Sequence, residues 1–363
     1  MAESFAMNGG DGMYSYTKNS EYQKEGSNAV HELIKEAISK SFDTKLIASI
    51  SNNRFCLADL GCSVGPNTFF NMETILEAIK NKHNNNNNIN VGRTCDTTKL
   101  EFQVLFNDHV SNDFNTLFAN IPPEKEYFAA GVPGSFYDQL FPCSSIHFAY
   151  SSYSLPWLSK VPEELLDRYS PAWSGTKFQS MGASPEVCIS YASQFKQGMK
   201  NFLDARAKEI VPGGMMAIIT PGVPDGIDSS DIFSAILFSF VESSLVDMVN
   251  EGILNEAQVY SFNMPIYCPS AKEMASCVEK DGRFAIERLE MIQPMTKNHD
   301  QIGAEKLVLH VRAAFEGVFT KHFGSEVVDE IFKRTLKKSE AISLRLQSAY
   351  MGGTELFLVL KRK

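Results

Sequence analysis

The stretch 55-FCLADLGCSVGPNTFFNMETILEAI-79 carries two hydrophobic periods with a glycine-bearing turn between them. Residues 55–60 are a short oily run climbing to Asp59 and Leu60, which predicts a buried strand. From Pro66 the apolar spacing turns helical, which predicts a helix over 66–80. A strand, a turn holding Gly61 and Gly65, and a helix together begin a parallel α/β sheet. In such sheets ligands sit beyond the carboxyl ends of the strands. Three readings of this turn compete: a seat for a nucleotide-like cofactor, a nucleophile elbow on Ser63, or a turn without chemical role.

Outward from this unit the elements alternate. An amphipathic helix covers 28–42, with Leu33, Ile34, Ala37, Ile38 and Phe42 on one side. Strands are expected at 100–106 and 146–151, and a helix capped by Ser184 and Pro185 runs to about Ile210. The segment 211-VPGG-214 then turns into a strand at 215–220. This order predicts an α/β fold, a parallel sheet covered on both faces by helices. The later part changes character, with helices expected at 230–251, 271–280, 304–322 and 325–348, punctuated by Gly252 and Gly324. The strand 355–363 is expected to return to the sheet edge, and the helices to form a cap. The Asn-rich patch 83-HNNNNNIN-90 reads as a solvated loop.

The net charge of −9 and the pI near 5.4 argue against a nucleic-acid partner. The oiliest helical run, 231-DIFSAILFSFVESSLVDMV-249, carries Asp231, Glu242 and Asp247, so no membrane span is expected. The start, MAESFAMNGG, shows no secretory pattern. Seven cysteines without any C-x-x-C spacing argue against disulfides and zinc, and make a reducing, cytoplasmic compartment the default expectation.

The turn itself departs from G-x-G-x-x-G, so it is not a dinucleotide fingerprint. An acid just ahead of the first glycine suits a cofactor that lacks a pyrophosphate and has a cationic amino-acid end, as S-adenosylmethionine does. Asp108 closes the next strand, where a carboxylate can accept the ribose hydroxyls. Either aspartate alone could merely cap a turn; two at adjacent strand ends, with glycines after the first, favour the cofactor. Gly61 to Gly65 also matches G-x-S-x-G. Against an elbow stand Pro66, the absence of a preceding His-Gly-Gly-Gly segment, and the position on the first strand in the chain. His109, His147, His299, His310 and His322 lie downstream, so a Ser63 hydrolase stays open. Tyr16, Ser20 and Gln23 share one helical face at i, i+4 and i+7, which taken alone reads first as a surface helix with an incidental polar face. Trp157, one of two tryptophans, follows the strand 146–151 and either offers an indole N–H to an anion or fills the core. Ser135 and Phe136 precede that strand, whereas mid-strand His147 reads as a core residue.

Taken together, 59-DLGCSVGPN-67, 107-NDHVSNDFN-115, 131-GVPGSFY-137 and 151-SSYSLPWLSKVP-162 resemble the plant SABATH family of S-adenosylmethionine-dependent carboxyl methyltransferases, over almost the whole chain. The resemblance implies a Rossmann-like class I methyltransferase sheet with helices on both faces and a mostly helical cap. An N-terminal arm (1–25) would close over the active site. Residues 26–225 and 350–363 would form the cofactor-binding domain, with 151–183 contributing to a cap and acceptor-binding region at 226–349. It implies cofactor contacts from Tyr16, Asp59, Cys62, Asn67, Asp108, His109, Ser135 and Phe136. It implies an acceptor carboxylate held by Gln23 and Trp157, with Tyr16, Tyr153, Pro156, Leu237, Phe238, Ile266, Tyr267, Val311 and Ala314 around it. A carboxylate ionised at neutral pH needs no general base, so orientation for in-line attack on the sulfonium methyl supplies the catalysis.

Some relatives hold magnesium with an Asp-x-Phe-Asn segment and a loop asparagine. Here the segment is 260-YSFN-263 and the loop position Ser174, so Phe262 and Asn263 remain but two oxygen ligands are lost, which argues against a tight metal site. The apolar lining predicts an aromatic or terpenoid acid with few hydroxyls, although the segments at 106–115 and 128–137 look closest to the loganic acid branch. The runner-up is an N-methyltransferase acting on a purine-like heterocycle. Family members are typically homodimers, which is the expectation here.

Overall fold

The computed structural model describes residues 6–51, 53–88, 100–173, 175, 177–293, 303–350 and 352–363. Its strands are β1 (Arg54–Leu60), β2 (Glu101–Asp108), β3 (Phe128–Pro133), β4 (Ile146–Ser152), β5 (Ile210–Pro221), β6 (Phe284–Ile292) and β7 (Glu355–Arg362). Its helices are α1 (Tyr16–Asn19), α2 (Glu21–Ser41), α3 (Thr44–Ile50), α4 (Asn67–Asn88), α5 (Phe114–Ala119), α6 (Pro185–Glu209), α7 (Phe233–Asn250), α8 (Glu256–Tyr260), α9 (Ala271–Asp281), α10 (Ala304–Phe323), α11 (Ser325–Lys337) and α12 (Ser339–Leu346). One sheet holds all the strands in the order β3-β2-β1-β4-β5-β7-β6.

The alternation within β1 divides the core. Phe55 and Leu57 join α2 and α4 through Ile34, Ile38, Met72 and Ile75 on one face. Cys56, Ala58 and Leu60 join α6 and α9 through Tyr191, Phe195, Met199 and Met274 on the other. α6 starts as its sequence requires, with Ser184 Oγ accepting from Val187 N (3.5 Å) and Pro185 in the first turn. A third core fills the cap, where Leu237, Val241 and Leu245 of α7 meet Val311 and Phe319 of α10 and Phe332 of α11. α7 has the length and apolarity of a membrane span, yet these side chains are buried within the cap. Each such burial is worth roughly 1.5–3 kcal/mol.

The sheet is mixed rather than parallel. β7 does not sit at the edge; it runs antiparallel between β5 and β6. The edge belongs to β6, a strand the sequence pattern did not reveal. Its residues are mostly half-exposed, and Arg288 pairs with Glu36 (2.9 Å) and Glu290 (2.6 Å), a charged guard suited to an open edge. β5 begins at Ile210, because the register slips between Ile146 and Phe148 and a bulge at Gly213 (φ +78°) absorbs the VPGG segment. α4 continues through the asparagines to Asn88, so the expected loop is helical there. His83 bonds the Thr44 backbone and Lys82 the Ser39 carbonyl, tying this end to its neighbours. The helix expected over 325–348 breaks at Lys338, whose Nζ bonds Ser243 Oγ and Asp247 Oδ2 of α7, both at 2.7 Å. Tyr16 and Gln23 lie on separate helices, since the backbone breaks at Ser20 (φ −104°, ψ 25°).

Candidate active site

β1, β2 and β4 end side by side, and the turn after β1 is fastened to its neighbours. Gly61 N and Cys62 N donate to Asn107 O at 2.8 and 2.9 Å. Asp108 Oδ2 accepts from Ser63 N (2.7 Å) and its Oδ1 from His109 N (2.7 Å), leaving each oxygen a lone pair for a ligand. Asn112 Nδ2 donates to Ser63 O (3.1 Å), which holds Ser63 at a positive φ of 52°. Gly61 is needed here: its φ is +88°, and a Cβ would stand 1.9 Å from Ser154 Oγ. Gly65 is not, because a Cβ there meets only ordinary contacts, the nearest 3.6 Å away.

Asp59 is buried and bonded to the Thr68 hydroxyl of α4. Burial pushes its pKa up to about 7, against the pull of Thr68 and with the help of the Asp108 charge. Enclosure also raises Asp108, opposed by the Ser63 and His109 N–H groups. Among the described residues no lysine or arginine compensates either acid. Two enclosed acids without a lysine or arginine partner, beside an open cavity, fit a cofactor carrying positive charge at its amino-acid and sulfonium end.

Phe136 is held at this rim by a buried ion pair. Arg206 Nε donates to Glu209 Oε2 (2.7 Å), and its Nη1 to the Phe136 carbonyl (2.9 Å). Glu209 Oε1 accepts from Phe141 N (2.9 Å). A pair whose polar atoms are occupied in this way serves position more than stability.

A cavity of about 160 Å³ opens at these strand ends. Tyr16, Gln23, Asp108, His109, Phe136, Tyr153, Pro156, Trp157, Leu237, Phe238, Ile266, Val311 and Ala314 all line it. Asp59, Cys62 and Asn67 line an adjoining pocket of about 30 Å³, which shares Tyr16, Gln23, Gly61 and Ser63 with the first. Two expected residues are elsewhere. Ser135 lines neither space, and its Oγ accepts from Tyr137 N (3.3 Å). Tyr267 faces away and donates to Glu273 Oε1 (2.8 Å). An antiparallel bridge pairs Trp157 with Ile266, and side chains alternate, so Ile266 takes the cavity and Tyr267 the far side. Trp157 stacks on Phe315 with ring centroids 5.0 Å apart.

Several lining residues were not foreseen, among them Tyr22, Met181, Phe233, His310 and Phe315. The signal lay in α10, where 310, 311, 314 and 315 share one face; of these, Val311 and Ala314 were expected. For Ser63 the expected obstacle of strand position does not hold, since β1 is interior to the sheet. Among the described residues Ser63 Oγ nevertheless has no hydrogen-bond partner. His147 Nδ1 accepts from Cys56 N (2.8 Å), His310 engages Gln23 and Asn19, and His322 Nε2 bonds Gln258 O (2.8 Å). His299 lies outside the described residues. At the metal remnant, Phe262 is packed among Phe178, Phe319 and Phe323, and Tyr260 bonds Glu256. Asn263 is buried, and Ser174 lies outside the described residues. Among the described residues no three acidic, histidine or cysteine side chains cluster.

Beneath the cavity Glu355 is fully buried and accepts from Tyr22 Oη (2.5 Å). Burial pushes its pKa up to about 8, against the lowering effect of Tyr22. That value lies above the unfolded carboxyl range, so its stabilising contribution is complete below about pH 4.3. It is lost as pH rises through 8. Glu355→Gln keeps an acceptor for Tyr22 and should flatten the fall in melting temperature between pH 5 and 8.5. Asp59 titrates in part of this range in both proteins, so the difference isolates Glu355. Thermal melts with parallel slopes for the two proteins would contradict this.

A family model described as SAM dependent carboxyl methyltransferase matches residues 2–363. The chain is 40% identical to loganic acid O-methyltransferase of Catharanthus roseus, covering 99% of this chain and 95% of that one. It is 36% identical to farnesoic acid carboxyl-O-methyltransferase of Arabidopsis thaliana, with full coverage (100%) of both. A solved structure of loganic acid methyltransferase with SAH superimposes with a TM-score of 0.90 at 40% identity, covering 98% of each chain. With the sheet, the acid-flanked turn and the cap already in place, these matches show that the chain belongs to the S-adenosylmethionine-dependent carboxyl methyltransferases, the SABATH family.

Proposed function

We propose that the protein methylates the carboxylate of a small, largely apolar acid, aromatic or terpenoid, to give a methyl ester. The observation that carries this reading is the composition of the chamber. Gln23 and Trp157, both neutral donors, border the same space as Asp108, and no lysine or arginine is among its described lining residues. Around them stand Met181, Leu237, Phe238, Ile266, Val311 and Phe315.

S-adenosylmethionine, when bound, supplies an electrophilic methyl group. Asp59 and Asp108 would hold its charged and ribose ends. The Gln23 amide and Trp157 indole would orient the acid without the full charge neutralisation that an arginine imposes, so its oxygen keeps its nucleophilicity. The apolar walls exclude water, which favours a step in which opposite charges cancel. No base is needed, because the acid arrives ionised. Loganic-type acids carry a sugar whose hydroxyls need buried partners, and Phe238 and Ile266 offer none.

Turnover with benzoic, salicylic, jasmonic, farnesoic and loganic acids, using labelled methyl donor, tests the proposal. Higher kcat/KM for the less hydroxylated acids is expected. Preference for loganic acid would overturn the apolar assignment. Turnover of a xanthine with no acid accepted would move the protein to the N-methylating branch.

A further inference from the structure

We infer that His310 is a positioning residue that fixes which end of the Gln23 amide meets the acid. This rests on the carboxylate reading above. α1 ends at Asn19, where the backbone breaks at Ser20, and the last carbonyls of a helix have no partner within it. Asn19 O lies 2.9 Å from His310 Nδ1. A carbonyl only accepts, so Nδ1 carries the proton. The neutral ring then offers Nε2 as an acceptor. Gln23 Nε2 stands 3.2 Å from it and donates. The reversed amide would set carbonyl lone pairs against the ring nitrogen.

The ring stays neutral in this setting. Enclosure lowers its pKa, and only the bond to Asn19 opposes that. The aromatic group packed on it is Tyr22, with centroids 5.6 Å apart, whose own ionisation burial and Glu355 suppress. Among the described residues Gln23 Oε1 has no hydrogen-bond partner, so no bond on the oxygen side opposes the orientation that His310 sets. Held this way, Gln23 has one N–H left, the second hydrogen on Nε2. The acid carboxylate therefore meets the nitrogen end of the Gln23 amide, at the N–H that His310 leaves free.

The test separates the two ring nitrogens. His310→Asn retains a donor near the Nδ1 position and loses the Nε2 acceptor. It should raise the acceptor KM about fivefold to tenfold, the loss expected for one neutral hydrogen bond, with the donor KM unchanged. His310→Gln places an oxygen near the Nε2 position and should bring the acceptor KM back to within about threefold of the starting protein. Calorimetric S-adenosylhomocysteine binding checks that each variant is folded. In a Gln23→Leu background, His310→Asn should have no further effect, because the residue through which it acts is gone. Additive penalties in the double variant would overturn the inference, because His310 would then act on the acid directly. If Gln23→Leu itself left acid turnover untouched, both the inference and the Gln23 grip would fall.

Discussion

Gly61→Ala should abolish measurable turnover and weaken S-adenosylhomocysteine binding about a hundredfold or more. Two penalties combine. The position has φ +88°, where an L residue costs roughly 1–2 kcal/mol. The new Cβ would stand 1.9 Å from Ser154 Oγ and 2.5 Å from Ser154 Cβ, an overlap of the kind that costs about 1–3 kcal/mol in a packed site. The turn cannot move aside cheaply, because Gly61 N is held by Asn107 O (2.8 Å) and Leu60 ends an interior strand. At about 1.4 kcal/mol per factor of ten, these terms account for the loss. Gly65→Ala in the same turn should cost less than about tenfold, because its Cβ has room. Isothermal titration of both variants decides the matter. Native affinity in Gly61→Ala would remove this turn from the cofactor site.

Trp157→Ala should lower acid kcat/KM at least about a hundredfold while cofactor affinity stays within about threefold. The backbone of Trp157 is anchored independently of its side chain. Its carbonyl accepts from Tyr137 Oη (2.7 Å), and it is bridged to Ile266. The substitution therefore removes the indole alone. Lost with it are a hydrogen bond to an anion, worth about 1.5–3 kcal/mol, the stack on Phe315, and the seal against water. Trp157→Phe keeps a ring against Phe315 but has no N–H, so it should fall between the two. Steady-state kinetics with the best acid of the panel provide the check. Equal kcat/KM for all three proteins would exclude Trp157 from acceptor binding.

The parts of this protein most legible in its sequence are those where local signals agree. The turn after β1 joins an apolar run, a glycine with an obligatory left-handed backbone and a helix start, and each points to the same unit. What stayed hidden depended on remote partners. β6 alternates too weakly to announce itself, because its residues are mostly half-exposed with no clean division between a buried and a solvated face. The unbroken apolar run 356-LFLVL-360 was the available sign that β7 lies inside the sheet, where its first six residues are all enclosed. The helix through the asparagines is tied to its neighbours by Lys82 on the Ser39 carbonyl and His83 on the Thr44 backbone, which no local rule anticipates. Among site residues, Gln23 drew notice by sharing a helical face with Tyr16, and its role came from the family resemblance. Its contact with His310 spans 287 positions in the chain and became visible only in three dimensions.

The placement of β7 has a consequence for how the molecule is made. β5 and β6 are never neighbours; each meets the other only through a strand that starts at Glu355. While the ribosome is still short of that residue, β5 exposes an open ladder of backbone groups and β6 has nothing to pair with. Sheet closure must wait for nearly all the preceding chain. Such long-range pairing makes folding slow, and the nascent protein meets its most aggregation-prone moment just before the final strand arrives.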